Sequence, residues 1–251
     1  MGDYVVLEGM ISIVTALECG NRTIEIIWIK DKKKHDSQAF SKLLKLAKKH
    51  NVTVEYMPYN EIEKHLHGKT SGGIIAFASE RHFTTVDKMY LEGQPCRWVA
   101  LEGFEDPYSY GNVVRTLYAA GFNGVLTPRS SWNKADTLLL KASAGAAEMM
   151  PTAIINDYDE IIAFAKQKGL KIICAEQSQS SVSLYDLQIT PPYLIVIGGE
   201  KRGIAKPFVN AADFLINIPY GRAVNYALSG ASAAAIIAFE VLRQEVLAKK
   251  Y

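Results

Sequence analysis

Histidine is missing from two thirds of this chain. All five (His35, His50, His65, His67 and His82) fall before residue 83 of 251, so whatever the remainder does, it does without imidazole as base or metal ligand. Cysteine is scarce as well. Cys19, Cys96 and Cys174 are odd in number and far apart, which fits neither a disulfide framework nor zinc spacing; they read as reduced, mostly buried thiols. No apolar run approaches the roughly 20 residues of a membrane span. Asp3 and Glu8 stand where a secretory leader would be basic and then apolar, and a cytoplasmic location is expected. Charge of one sign is also lacking: 28 Lys+Arg against 26 Asp+Glu leave +2, and the balance is even in residues 1–94 (13 against 12) and in the rest (15 against 14). A nucleic-acid partner would therefore have to be met by local patches.

What is present is an ordinary folding composition, with 49% hydrophobic residues and a mean hydropathy of +0.01. Disorder and collagen-like classes are excluded. Residues 4–79 alternate short helical and β-rich runs: a helix over Glu8–Cys19 with Ile11, Val14, Thr15 and Ala16 on one face, a strand over Thr23–Ile29, and strands at Val52–Tyr56 and Gly73–Ala78 around a short helix near Asn60–Leu66. Ser37–His50 places Phe40, Leu43, Leu44 and Ala47 on one side and Lys42, Lys45, Lys48 and Lys49 on the other, an amphipathic helix with a basic exposed face. With Lys32-Lys33-Lys34 that face is a candidate surface for tracking phosphates, against the plain alternative of a solvated charge run. His65 and His67 lack a third ligand for a metal, and Trp28 and Trp98 fall in strand-like runs that suit a core.

The pattern turns polar between Glu80 and Pro95 and restarts at Trp98. The expected organisation is a small α/β domain at 1–81, a linker at 82–95 and a second domain at 96–251. In the second, apolar strands at Trp98–Gly103, Gly124–Leu126, Lys171–Ala175, Tyr193–Gly198 and Phe214–Ile218 alternate with helices at Tyr110–Ala120, Lys134–Leu140, Tyr158–Lys168 and Ala227–Leu247. That alternation predicts an α/β fold with a parallel sheet covered on both faces.

Ligands bind such sheets at the carboxyl ends of strands, and three loops there stand out. The first, from Glu102 to Thr116, contains Asp106-Pro107, Ser109 as a candidate helix N-cap, and Gly111 and Arg115 four apart on one helical face. The second, Gly198-Gly199-Glu200-Lys201-Arg202-Gly203, follows the most apolar strand and is neither a dinucleotide fingerprint nor a P-loop. The third runs from Ile218-Pro219 through Gly221, Asn225, Tyr226 and Leu228 into the small-residue stretch Ser229–Ala235. Read singly, each loop also has a plain structural reading: a surface ion pair, a strand-to-helix turn, tight helix packing.

Taken together, in this order and at these intervals, the three loops resemble the motifs of the SpoU/TrmH family of RNA ribose 2′-O-methyltransferases in the SPOUT superfamily, over about Trp98–Gln244. Asp106-Pro107, Gly111 and Arg115-Thr116 match the first motif; Gly198, Glu200 and Gly203 the second; Ile218-Pro219, Gly221 and Ser229 the third. The N-terminal region is similar to the ribosomal-protein-like RNA-binding module that precedes this domain in the 23S rRNA-modifying branch, through Glu8-Gly9, Ala16-Leu17 and Ser71–Ala76. The resemblance implies a C-terminal trefoil knot and S-adenosylmethionine held by Gly198, Gly199, Ile218, Pro219, Tyr226 and Leu228. It implies a homodimer with active sites at the interface, and structured RNA as partner, rRNA first and tRNA second. Catalytic roles fall to Arg115, Glu200, Ser109 and Asn225, with no metal and no membrane. Arg115 would act at the ribose 2′-hydroxyl. Two departures stand out: Ser109 where the family usually carries Asn, and Asn225-Tyr226-Ala227 where a one-residue gap meets the usual Ser-Leu-Asn. They motivate an alternative reading, a catalytically silent relative that binds structured RNA.

Overall fold

The computed structural model describes residues 4–31, 37–67, 71–129, 136–199 and 202–248. In chain order the elements are β1 (Val5–Glu8), α1 (Met10–Cys19), β2 (Ile24–Lys30), α2 (Gln38–Lys49), β3 (Thr53–Met57), α3 (Tyr59–Glu63), β4 (Ile74–Ala78), α4 (Val86–Met89), β5 (Arg97–Glu102), α5 (Pro107–Ala119) and β6 (Gly124–Pro128). There follow α6 (Asp136–Ala142), α7 (Ala146–Met149), β7 (Thr152–Ile155), α8 (Tyr158–Gln167), β8 (Lys171–Ala175), β9 (Val182–Ser183), β10 (Tyr193–Gly198), α9 (Lys206–Ala211), β11 (Phe214–Asn217) and α10 (Gly230–Ala248). They form two compact units, one from 1–82 with 132–149, the other from 83–131 with 150–251.

The first unit is a four-stranded sheet in the order β1-β4-β2-β3, antiparallel except for the parallel β2–β3 pair. Leu7, Ile13, Ile27, Ile29, Leu43 and Ile75 are fully buried in it. Helix α2 starts where the Ser37 hydroxyl accepts from the Phe40 N–H at 3.2 Å, and Phe40, Leu43 and Ala47 face inward while its four lysines stay exposed. Ile11, expected on the buried face of α1, is 61% exposed instead; Gly9 caps that helix, so its inward face runs through Ile13, Val14, Ala16 and Leu17. Trp28 is half-buried and meets His65 and Phe77 edge to face, which makes His65 a packing partner.

Residues 136–149 fold with this unit, around charge. Arg22 is buried, donating to Asp136 at 3.0 Å, to the Ser79 carbonyl at 3.1 Å and to Glu148 in a closer contact. Glu8, also buried, pairs with Lys141, and Arg81 donates to the Ala147 carbonyl at 2.7 Å. A buried arginine with two carboxylates is tolerated only when every charge is answered.

The second unit is a seven-stranded, wholly parallel sheet in the order β7-β6-β5-β10-β8-β11-β9. Its centre is β5 and β10, where Val99–Leu101 and Leu194–Ile197 are no more than 1% exposed, the signature of strands covered on both faces. On one face Trp98, Ala100, Leu126 and Val196 pack with Ile161, Ala165 and Phe208 from α8 and α9. On the other, α10 packs against α5 and β10. The 82–95 stretch, expected as a linker, carries α4, and its Met89 joins that core.

Replacing Arg22 by alanine leaves Asp136 and Glu148 buried beside each other without a counter-charge. The expected loss is about 3–5 kcal/mol, seen as a lower urea midpoint in tryptophan fluorescence; an unchanged midpoint would show that the cluster does not hold the unit together.

Candidate active site

β5 and β10 stay in register to their carboxyl ends, where Gly198 lies beside Glu102. One residue further on, the Gly199 N–H donates to the Glu102 carbonyl at 2.6 Å, so the two loops leave the sheet in backbone contact. A Cβ at Gly199 would stand 2.4 Å from the Gly103 carbonyl oxygen, and one at Gly230 would stand 2.7 Å from the Phe104 ring. Glycine is required at both positions by close approach rather than by dihedral freedom.

Three neighbouring hollows, which share lining residues, surround this contact. The first, of about 270 Å³, opens over the ends of β8, β10 and β11 and is walled by Ile197, Gly198, Ile218, Leu228 and Ile237, with Glu176, Gln177, Asn217 and Tyr220 as polar groups. The middle one, about 200 Å³, holds Asp106, Ser109 and Ser229, and shares Gly199 and Gly230 with the first. The outer one, about 540 Å³, shares Gly103, Phe104 and Glu105 with the middle one and extends past Glu102, Thr127 and Tyr158 to Arg129 and Arg202.

The sequence-predicted residues divide among these hollows. Gly198, Gly199, Ile218 and Leu228 line the first. Pro219 lies one step outside, in a shallow groove along 217–224, and Tyr226 is 67% exposed and not part of the first cavity's wall. Asn225 is exposed in the same loop, which is pinned at its far end where the Leu228 N–H donates to the Tyr220 hydroxyl at 3.0 Å. Ser109 reaches the middle hollow, but it is not the N-cap of α5. That role belongs to Asp106, whose carboxylate accepts from the Ser109 backbone N–H at 2.7 Å and from its hydroxyl at 2.6 Å, with Pro107 in the first turn. Those bonds hold the Asp106 carboxyl below its ordinary pKa. Arg115 is exposed on α5, and among the described residues it has no ion pair. Glu200 lies outside the described residues, as do Lys32–Lys34.

Sequence reasoning assigned no role to Glu102, Tyr158 or Tyr220. Glu102 is 5% exposed, its Oε2 accepts from the Tyr158 hydroxyl at 3.1 Å, and its Oε1 has no partner. Burial pushes the Glu102 carboxyl up, an effect the Tyr158 bond only partly offsets. The same burial, with the Glu102 charge nearby, pushes Tyr158 up to about 12. The available signal was position alone, since all three stand at or just beyond sheet ends. Among the described residues no group of His, Cys, Asp and Glu could hold a metal ion, and no helix is long and apolar enough to cross a membrane.

A parallel α/β unit with a glycine-lined hollow of mixed apolar and polar walls over its central strands has the place where open α/β sheets bind ligands. The SpoU rRNA Methylase family matches residues 97–239, and the RNA 2′-O ribose methyltransferase substrate binding family matches residues 6–84. The chain belongs to the SpoU rRNA Methylase family. It is 25% identical over 97% of its length to the 23S rRNA (guanosine-2′-O-)-methyltransferase RlmB of Pseudomonas syringae pv. tomato, covering 97% of that protein. Its fold superposes on the SpoU methyltransferase AviRb of Streptomyces viridochromogenes, in complex with the cofactor AdoMet, with a TM-score of 0.80 at 17% identity, covering 97% of this chain and 91% of that one. An RNA 2′-O ribose methyltransferase gives 0.76 at 20% identity, with 97% and 89% covered.

Because the Gly199 contact is backbone on backbone, Gly199→Ala is expected to cost about 1–3 kcal/mol and to lower S-adenosylmethionine affinity, measured by thermal melting and calorimetry. Gly221→Ala, with nothing within 4 Å of the added carbon, is the control and should move stability by less than about 0.5 kcal/mol.

Proposed function

We propose that this chain is an S-adenosylmethionine-dependent RNA methyltransferase that modifies a ribose 2′-hydroxyl, in rRNA first and tRNA second, and that it acts in the cytoplasm as a homodimer. The observation that carries the reading is the middle hollow. It is a cleft at the start of α5 that lies against the first, nucleoside-sized cavity, the two sharing Gly199 and Gly230 as walls.

The residues present fit the cofactor. Ile197, Ile218, Leu228 and Ile237 offer apolar walls to a flat heterocycle, while Gly198 and Gly199 let a ligand lie against backbone. S-adenosylmethionine, when bound, supplies an electrophilic methyl group on a sulfonium. The chain's own work is placement. Tyr220 fixes the 221–229 loop through Leu228, and Asn225 and Tyr226 on that loop are exposed to a substrate. Ser109 and Ser229 present hydroxyls in the middle hollow. Arg115 stays protonated in nearly all protein settings, so its role is to orient the 2′-hydroxyl and a neighbouring phosphate; Glu200 would hold the second loop. Positioning of this kind can supply most of the help an in-line displacement needs.

The dimer reading rests on one exposed face. Tyr108, Arg115 and Tyr118 are spaced at i, i+7 and i+10 along α5, and Tyr108 and Tyr118 are large exposed side chains. On α10, packed against α5, Phe239 and Val246 are likewise exposed and two turns apart. A second copy covering this face would bury the aromatics and place Arg115 at the interface. The path of the chain from β11 beyond β8 back to α5 and β10 supports the C-terminal knot. In this reading residues 1–81 serve RNA binding, with the exposed lysines of α2 against phosphates, and 96–251 carry the chemistry.

Two tests separate these points. Tritiated methyl transfer into total rRNA and tRNA is expected from the full chain and to fall at least about 100-fold in Arg115→Ala, with S-adenosylmethionine affinity in calorimetry unchanged. Affinity without transfer in the unaltered chain would favour the silent RNA-binding relative, and transfer surviving in Arg115→Ala would remove that residue from the mechanism. In sedimentation equilibrium the chain should run as a dimer and Phe239→Lys as a monomer; a monomeric parent would end the dimer reading.

A further inference from the structure

The transfer described above leaves one proton without a destination. Arg115 stays protonated, and the second unit has no histidine, since all five lie before residue 83. Among the described residues four carboxylates line the hollows: Glu102, Glu105, Asp106 and Glu176. Glu102 is 5% exposed and tied to Tyr158, Glu176 lies in the cofactor cavity just past β8, and Glu105 has Arg202 3.5 Å away. Asp106 differs from all three because it is joined to a hydroxyl in the middle hollow. Its Oδ2 accepts from the Ser109 hydroxyl at 2.6 Å and from the Ser109 backbone N–H at 2.7 Å, and both residues line that hollow. A hydroxyl has one hydrogen. With it given to Asp106, the Ser109 oxygen can only accept from whatever fills the hollow, and a hydroxyl about to lose its proton is a donor. Ser229, the other serine there, offers no such route. Its oxygen accepts from the Ser232 N–H at 3.1 Å and shares a hydrogen with the Ser232 hydroxyl at 3.0 Å, and among the described residues neither hydroxyl is bonded to a carboxylate.

We propose that Ser109 and Asp106 form a proton relay for the ribose 2′-hydroxyl, with Ser109 touching the substrate and Asp106 taking the proton through it. The inference rests on the methyltransferase reading above and adds the base that reading lacks. As the methyl carbon bonds the 2′-oxygen, the carbon–sulfur bond breaks and its electron pair stays on sulfur, leaving a neutral thioether. The proton of the 2′-oxygen passes to the Ser109 oxygen while the Ser109 hydrogen passes to Asp106, which ends as a carboxylic acid. Asp106 is exposed and returns that proton to water. The Ser109 bonds hold its carboxyl below the ordinary pKa, so it is always ionised at neutral pH and is a weak base. Weakness does not disqualify it, because an oxygen that has gained a methyl group is an oxonium, far more acidic than any carboxylic acid. The step needs a placed acceptor more than a strong one.

The experiment is single-turnover transfer from tritiated S-adenosylmethionine into total rRNA and tRNA from cells lacking the protein, with the full chain and three variants. Asp106→Asn keeps an N-cap of equal quality but cannot hold the proton; Ser109→Ala keeps the cap and removes the hydroxyl. Each is expected to lower the rate at saturating enzyme about 100-fold, the lower end of what a positioned base contributes. The half-saturating concentration and the calorimetric affinity for S-adenosylmethionine should not change, and the melting temperature should stay close to that of the parent. Because the two groups act as one unit, the double variant should lose no more than either single one. Parent-like transfer in Ser109→Ala, or a double variant that multiplies the single losses, overturns the relay and leaves the methyltransferase reading intact. Losses confined to the half-saturating concentration and the melting temperature would mark the pair as a helix cap and overturn the relay as well. No transfer from the parent into any RNA overturns both.

Discussion

The hydrogen bond from the Gly199 N–H to the Glu102 carbonyl is the contact on which the site depends. It continues the β5–β10 pairing one residue past the sheet, and so brings the first and second loops together with no side chain between them. Everything that lines the three hollows is placed from there. Gly103, Phe104 and Asp106 follow from one strand end, Gly198 and Gly203 from the other, and Gly230 begins α10 against the Phe104 ring. A parallel sheet makes this possible because neighbouring strands all end on the same side, and the loops that leave them meet over one edge.

Much of this was legible in the sequence, for a physical reason. The longer strands and helices of both units announce themselves by sustained apolar runs or a 3.6-residue period, and β10 and β8 were placed to the residue. The elements that escaped, β1, α4, α7, β7, β9 and α9, are two to six residues long, too short for either period to repeat. Residues 136–149 escaped differently. Their attachment to the first unit runs through Arg22, Asp136 and Glu148, and charged residues read as surface until a partner more than a hundred positions away is known. Ser109 and Asp106 illustrate a finer ambiguity. Both are good N-caps by type, and only the geometry shows Asp106 capping α5 while Ser109 sits three residues into the turn it caps.

The scarcities of the sequence acquire a meaning in the fold. All five histidines precede residue 83, within the limits of the first unit, and the hollows of the second combine glycine, isoleucine, serine and tyrosine with Glu102, Glu105, Asp106, Glu176, Arg129 and Arg202. A transfer from a sulfonium to a hydroxyl asks mainly that donor and acceptor be aligned, and modestly that a proton leave. An even overall charge likewise suffices when cations are local: the lysines of α2 in one unit, and Arg115, Arg129 and Arg202 around the hollows of the other.

Glu102 is the most deeply buried of the carboxylates that line the three hollows. Its pKa is raised in the folded state by burial, so the folded chain holds its proton to higher pH than the unfolded chain does. Stability attached to this residue is therefore lost as the pH rises from the ordinary carboxyl value through the raised one. A glutamine there would avoid that loss and still reach the Tyr158 hydroxyl. Asp136 and Glu148 face the same burial in the other unit and are answered by Arg22. In the second unit, among the described residues, Glu102 is answered by the Tyr158 hydroxyl alone, and its other oxygen is buried without a hydrogen-bond partner.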